Sequence, residues 1–347
     1  MSFALIVENK GPWETSLKKV NTTNDVNLDC QLEDNQVLIQ FLASTINPSD
    51  VGMVEGWYPT AVSLPFTPGN EGVGHVIKVG PGAVKLSVGD HVMPGKGLFG
   101  TWRSLAIAPE TDLIKIDKEL DLEIACQLMV NPPTAYRLLK DFVDLKPGDC
   151  VLQNGGNSAV GLLVIQMCKA WGFKTINVVR ARSDPDQMND LVKSMTDLGA
   201  DHVVTEQDIA DESFMESIWS SGTPKPVLAF ECIGGENAAN CIKHLADEAT
   251  MVIYGTMTKE PVAVPAGPTI FKQLKFKGFW LAKVYRGNPE EYQRMSAELV
   301  SMFKSGQLKA PKVVAVPMEN YQEAFTKSTK GFTSGKVILT NQKIVPK

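Results

Sequence analysis

The chain reads as a two-domain α/β protein, an irregular β-rich domain followed by a doubly wound parallel sheet, and three observations predict this. Before about residue 125, short apolar runs are separated by Gly- and Pro-marked turns. From about residue 145 the pattern changes to apolar strands alternating with helical stretches. Within that second region, Asp149 to Gly161 has the glycine-rich turn of a nucleotide-binding βαβ unit. With 347 residues the chain has material for two buried cores.

Taken in order, Met1 to Val7 reads as a first strand, and Gln36 to Leu42, His75 to Val79, Asp90 to Met93 and Ser104 to Ile107 read as further strands of the first domain. Gly80-Pro81-Gly82 and Val88-Gly89-Asp90 are turns between them. In the second domain the strands are Cys150 to Leu152, Thr175 to Val179, His202 to Val204, Val227 to Cys232 and Met251 to Tyr254. Leu162 to Trp171 is apolar nearly all round, as a helix packed on a sheet should be, and Gly172 stops it. A helix over Pro289 to Phe303 and a strand over Lys336 to Thr340 close the chain. The expected division is 1–127 for the β-rich domain, 128–283 for the parallel sheet, and 284–347 for a C-terminal segment that returns to the first domain.

A strand that runs through a glycine-rich turn into a helix points backbone N–H groups at an anion, and the helix dipole adds positive potential. Gly156-Asn157-Ser158-Ala159-Val160-Gly161 keeps the first and third glycines of G-x-G-x-x-G, with Ser158 at the second. Pyrophosphate belongs there. At the end of the next strand, where an NAD-binding fold places a carboxylate on the ribose hydroxyls, this chain has Arg180 and Arg182. Two guanidinium groups favour a 2′-phosphate, so NADPH is expected over NADH.

Composition excludes several classes. A formal net charge of -5 argues against nucleic acid as the main partner, since phosphate backbones call for a basic surface. No apolar run reaches the roughly 18 residues of a membrane span, and the first residues read as a strand, not as a signal or transit segment. Cys30, Cys126, Cys150, Cys168, Cys232 and Cys241 are scattered without a C-x-x-C pair, which favours free thiols in a reducing compartment. His75, His91, His202 and His244 are equally dispersed and read as structural or surface residues. Between Lys272 and Arg286, Lys275, Lys277 and Lys283 add positive charge with no acidic residue, either as a steering patch for an acidic carrier or as guards of a strand edge.

From Gln36 to Thr340 the chain resembles the medium-chain dehydrogenase/reductase superfamily, through Pro81-Gly-Ala-Val-Lys-Leu-Ser-Val-Gly-Asp90-His-Val, Leu145-Lys-Pro-Gly-Asp149 and Leu198-Gly-Ala-Asp-His-Val-Val204. The resemblance implies a GroES-like catalytic domain beside a Rossmann domain, with the reaction in the cleft between them. Zinc-dependent members carry a Cys and a Gly-His-Glu where this chain has Ile46-Asn47-Pro-Ser-Asp50 and Gly69-Asn70-Glu71-Gly72. Amides hold Zn²⁺ poorly, so no catalytic metal is expected.

Within the zinc-free branch the chain is most similar to the mitochondrial trans-2-enoyl-thioester reductases, through Glu55-Gly-Trp-Tyr58-Pro, Gly69-Asn-Glu-Gly-Val, Asn131-Pro-Pro-Thr-Ala-Tyr136-Arg, Gln153-Asn-Gly-Gly-Asn157-Ser158, Thr175 to Arg180 and Gly278-Phe-Trp280-Leu. The resemblance implies Tyr58 as proton donor and Asn131 as a cofactor contact. It extends the cofactor set to Asn157, Ser158, Ala159 and Val160, to Arg180, Ala181 and Arg182, to Tyr254, Gly255, Thr256 and Met257, to a strand of Phe279, Trp280 and Leu281, and to Lys336. Departures are Gly155, Gly156 and Ala159 in the loop, Ala181 where an acidic residue is common, and Thr256 in place of a glycine. The family further implies a mitochondrial location, with the cytoplasm as alternative for want of a visible transit segment, and a homodimer through the last Rossmann strand.

Reduction of an enoyl thioester, carried by CoA or an acyl carrier protein, needs a hydride at C3 and a proton at C2. A phenol with its pKa near 10 stays protonated at neutral pH and still protonates an enolate, which suits Tyr58. Two other readings remain open on residues alone: a zinc-free NADPH quinone or enone reductase, and a protein that binds NADPH without turning it over.

Overall fold

The computed structural model describes residues 2–287, 289–329 and 335–341, without the side chains of 285–287 and 289. Its contacts divide the chain into one unit of Met1–Val130 with Ala310–Lys347, and another of Asn131–Lys309.

The first unit opens with β1 (Phe3–Val7), paired antiparallel to β2 (Leu17–Asn21). β3 (Gln36–Thr45) is its longest strand and pairs antiparallel with both β4 (Gly72–Val79) and, after β5 (His91–Pro94), with β6 (Leu105–Pro109); β5 in turn pairs with β4 and with β7 (Leu113–Ile116). Register shifts at Leu38/Ile39 and Phe41/Ala43 curve β3. Val37 and Ile39 pack with Val76, Val92 and Ala108, while beyond the shifts Ile46 joins Leu5, Val7 and Trp102. Trp102 is fully buried, and its indole N–H donates to the Thr45 carbonyl at 2.9 Å, which removes the cost of burying it.

Among the described residues the second unit holds a six-stranded parallel sheet. In chain order its strands are β8 (Cys150–Gln153), β9 (Lys174–Val179), β10 (His202–Thr205), β11 (Leu228–Glu231), β12 (Thr250–Ile253) and β13 (Lys275–Gly278). Their spatial order, β10-β9-β8-β11-β12-β13, reverses direction between β8 and β11, which makes that crevice the ligand-binding switch point of a Rossmann sheet. Strand alternation feeds two cores: Leu152, Ile176, Val178 and Met251 point to one, and Val179 joins Ile165, Met195 and Ala200 in the other. Helix Ala159–Trp171 ends as the sequence predicts, with Gly172 in the left-handed region at φ 78°.

The return to the first unit comes at Ala310, later than the expected 284, because helix Pro289–Lys304 stays with the second unit. Tyr136 donates to Glu298 at 2.7 Å and Arg137 pairs with Glu291, tying that helix to helix Asn131–Lys140. β14 (Val313–Pro317) then runs parallel to β15 (Lys336–Thr340), which pairs antiparallel with the end of β3. One expected strand is corrected. β13 stops at Gly278 because its partner β12 stops at Ile253; Phe279 makes one last bond to the Ile253 carbonyl, and Leu281 already opens helix Leu281–Gly287.

Candidate active site

In the second unit, most residues that the sequence assigns to the cofactor come together at the C-terminal ends of the parallel strands. After β8 the chain turns through Asn154 to Ser158. Gly155 has φ 58°, and a Cβ there would lie 2.9 Å from Cys232 Sγ; a Cβ on Gly156 would lie 2.9 Å from Asn177 Cβ. These two glycines, departures from the family pattern, are what lets the turn lie flat on the strand ends. Ser158 caps the following helix, its hydroxyl accepting from Gly161 N–H at 3.1 Å, so Asn157, Ala159 and Val160 form the positive end of a 13-residue helix.

Arg180, Ala181 and Arg182 follow β9 directly, and Arg182 Nη1 donates to the Arg180 carbonyl at 2.7 Å. Burial, and then the neighbouring Arg180, hold the Arg182 guanidinium below the usual arginine range, yet a guanidinium remains charged at neutral pH. Tyr254 follows β12; burial, and then the neighbouring Cys232, push its phenol well above the usual tyrosine range. Gly255 lies against Cys232, Thr256 Oγ1 donates to the Glu260 carbonyl, and Met257 is exposed. Phe279 and Trp280 follow β13, and Asn131 begins its own buried helix.

Sequence reasoning missed the polar layer beneath this edge. Glu231, fully buried at the end of β11, accepts from Ile233 N–H, from Gly234 N–H at 2.6 Å and from Asn154 Nδ2 at 2.6 Å, while Asn154 Oδ1 accepts from Cys232 N–H. Gln153 Nε2 donates to the Gly161 carbonyl and to Asn177 Oδ1. The available signal was a polar residue at the end of each otherwise apolar strand, Gln153 and Glu231.

In the first unit, Tyr58 sits three residues beyond helix Pro48–Glu55, which ends at Gly56 with φ 91°. Its N–H donates to the Gly52 carbonyl at 3.1 Å and its ring meets Trp57 edge-on at 6.3 Å. Gly52 allows this: a Cβ there would lie 2.8 Å from the Trp57 ring. The same helix begins at Asn47, whose N–H donates to Asp50 Oδ2.

Asn47 and Asn70 stand where zinc-dependent members have ligands, and both amides are already engaged. Asn70 donates to Asp50 through N–H and Nδ2 and accepts from Leu98 N–H; Asn47 Nδ2 donates to Thr45 and Glu71, and its Oδ1 accepts from the Lys336 ammonium. Burial pushes Asp50 up to about 6 despite the Asn47 N–H, and the charge of Glu71 adds to the rise. Burial likewise raises Glu71, against Lys336, and holds Lys336 below the usual lysine range, against Glu71 and Asp50. Zinc does not fit this set, because an ammonium already stands among its carboxylates and amide oxygen. Among the described residues no group of three or more His, Cys, Asp or Glu could hold a metal.

The lysine patch is largely committed elsewhere. Lys272 donates to the carbonyls of Lys243 and Leu245 at a helix end, Lys275 lies 3.5 Å from Glu248, and Lys275 and Lys277 line edge strand β13. That arrangement places two of the lysines on the strand itself and one at a helix end. The Arg286 side chain lies outside the described residues.

Residues 33–118 match the alcohol dehydrogenase GroES-like domain, and residues 159–301 match the zinc-binding dehydrogenase family. The enoyl-[acyl-carrier-protein] reductase, mitochondrial, of Caenorhabditis elegans is 43% identical over 300 residues, covering 86% of this chain and 84% of the relative. The mitochondrial 2-enoyl thioester reductase Etr1p/Etr2p heterodimer from Candida tropicalis superposes with a TM-score of 0.89 at 30% identity, over 98% of this chain and 99% of the other. The Etr1p/NADP/crotonyl-CoA complex gives a TM-score of 0.89 at 29% identity with the same coverage. With both domains matched and relatives aligned along most of its length, the chain belongs to the enoyl-[acyl-carrier-protein] reductase family of the medium-chain dehydrogenases/reductases.

Proposed function

We propose that the protein reduces trans-2-enoyl thioesters to acyl thioesters with NADPH, with the hydride entering at C3 and the proton at C2. The observation that carries this reading is the full-length likeness to a solved chain whose complex holds NADP and crotonyl-CoA, itself a 2-enoyl thioester. When bound, NADPH supplies the hydride. The chain's own residues do the rest: Asn157 to Val160 receive the pyrophosphate at the capped helix end, and Arg180 and Arg182 receive the 2′-phosphate, with Ala181 between them. Tyr254 to Met257, Phe279 to Leu281 and Asn131 complete the cofactor's surroundings, and Lys336 belongs to the same set. Tyr58 donates the proton to C2.

Isotopic labelling tests the direction of addition. With NADPH deuterated at C4, NMR of the acyl product should find the label at C3, and in D₂O with unlabelled NADPH it should find solvent deuterium at C2. Cofactor-derived deuterium at C2 would refute the assignment.

The assembly we infer is a homodimer formed through β13. Among the described residues this strand pairs on one side only, with β12, and Ile270 and Phe271 nearby are 65% and 85% exposed. Light scattering should give twice the chain mass, and Phe271→Asp should shift it toward the monomer; a monomeric parent protein would rule this out. The location proposed is mitochondrial, as in the relatives' names, and fractionation of cells expressing the full-length protein checks it.

A further inference from the structure

Glu71 is a fully buried carboxylate with four protein donors. Oε1 accepts from Thr45 Oγ1 at 2.7 Å and from Asn47 Nδ2 at 2.8 Å; Oε2 accepts from the N–H groups of Met129 at 3.2 Å and Val130 at 2.8 Å. The last two donors lie in a turn outside any helix or strand, and Asn131 follows them directly as the first residue of helix Asn131–Lys140. A buried carboxylate is costly unless its lone pairs are filled and its charge is balanced. Here both conditions hold, the second through Lys336. An ordinary turn would have its N–H groups met by backbone carbonyls. This one is held by a charged side chain on β4's threshold, anchored in turn to the end of β3 and to the start of the helix that leads to Tyr58.

We propose that Glu71 is a positioning residue for the reduction: its carboxylate fixes the Met129–Val130 backbone and thereby sets the side chain of Asn131 against the cofactor. The inference rests on the reading of Asn131 as a cofactor contact. Glu71→Gln keeps the shape but replaces one acceptor oxygen by an NH₂ that faces donors, so the turn loses part of its hold.

A double-mutant cycle on NADPH affinity tests this, read by fluorescence titration of the full-length protein with thermal melting alongside. Glu71→Gln and Asn131→Ala should each weaken NADPH binding by about tenfold, the loss of one charge-assisted or buried bond. The double variant should be no weaker than the worse single variant, because Glu71 acts through Asn131. Additive losses would overturn the proposal, as would a Glu71→Gln protein that melts earlier but binds NADPH normally. Normal binding by Asn131→Ala alone would show that the underlying reading of Asn131 is wrong, and the positioning role would fall with it. Thr45→Val removes one bond to Glu71 with little change of volume. If Glu71→Gln does not fold, Thr45→Val takes its place in the cycle, with a smaller loss expected, again not additive with Asn131→Ala.

Discussion

Tyr58→Phe should lower kcat for an enoyl thioester by about 10² to 10⁴ while NADPH affinity stays unchanged. The phenylalanine keeps the ring, its edge-on contact with Trp57 and the backbone bond to Gly52, so the loop keeps its shape. Only the hydroxyl, and with it the proton, is removed. Stopped-flow measurement of NADPH oxidation separates the step from binding, and the melting temperature should hardly move. A quinone takes its protons from water, so turnover of a quinone would survive the same change. Near-normal reduction of trans-2-hexenoyl-CoA by Tyr58→Phe would remove Tyr58 from the mechanism.

Replacing both Arg180 and Arg182 by Ala should weaken NADPH binding by roughly a hundredfold and leave NADH within about twofold of its starting affinity. Each charge-assisted contact to a phosphate contributes about 1.5 to 3 kcal/mol, and the lower figure applies to partly exposed groups in salt. Arg182 is already held by its bond to the Arg180 carbonyl, so little ordering entropy remains to be lost on binding. Calorimetric titration with both cofactors, repeated at two salt concentrations, reads the effect. Equal losses for NADPH and NADH would mean that the pair does not recognise the 2′-phosphate.

Sequence reasoning succeeded where the cause of structure is local. Alternation fixed β8 to β12, since each carries apolar residues for both faces of a buried sheet, and Gly172 marked its helix end. It failed where pairing decides. Leu17-Lys-Lys-Val-Asn in β2 is polar on most positions and becomes a strand only because β1 lies beside it. The family resemblance implied a strand over Phe279 to Leu281, but β13 ends with its partner β12 and Leu281 opens a helix.

The site shows the same division. The placement of Ser158 in the turn before the helix, and of Arg180 and Arg182 at a strand end, was legible because turns and strand ends are set by neighbours in the chain. Glu71, Asp50 and Glu231 were not. Their meaning lies in partners far along the sequence: Glu71 meets Val130, Asp50 meets Asn70, and Glu231 meets Asn154. An isolated carboxylate in a sequence gives no sign that four donors will converge on it.

The most direct test of enoyl-thioester reduction is a comparison of acceptors at one NADPH concentration, following absorbance at the cofactor's own band with trans-2-hexenoyl-CoA, with a quinone, and with no acceptor. Rapid, saturable oxidation with the thioester and background rates in the other two cuvettes is the predicted result; saturable turnover of the quinone with none of the thioester would contradict it.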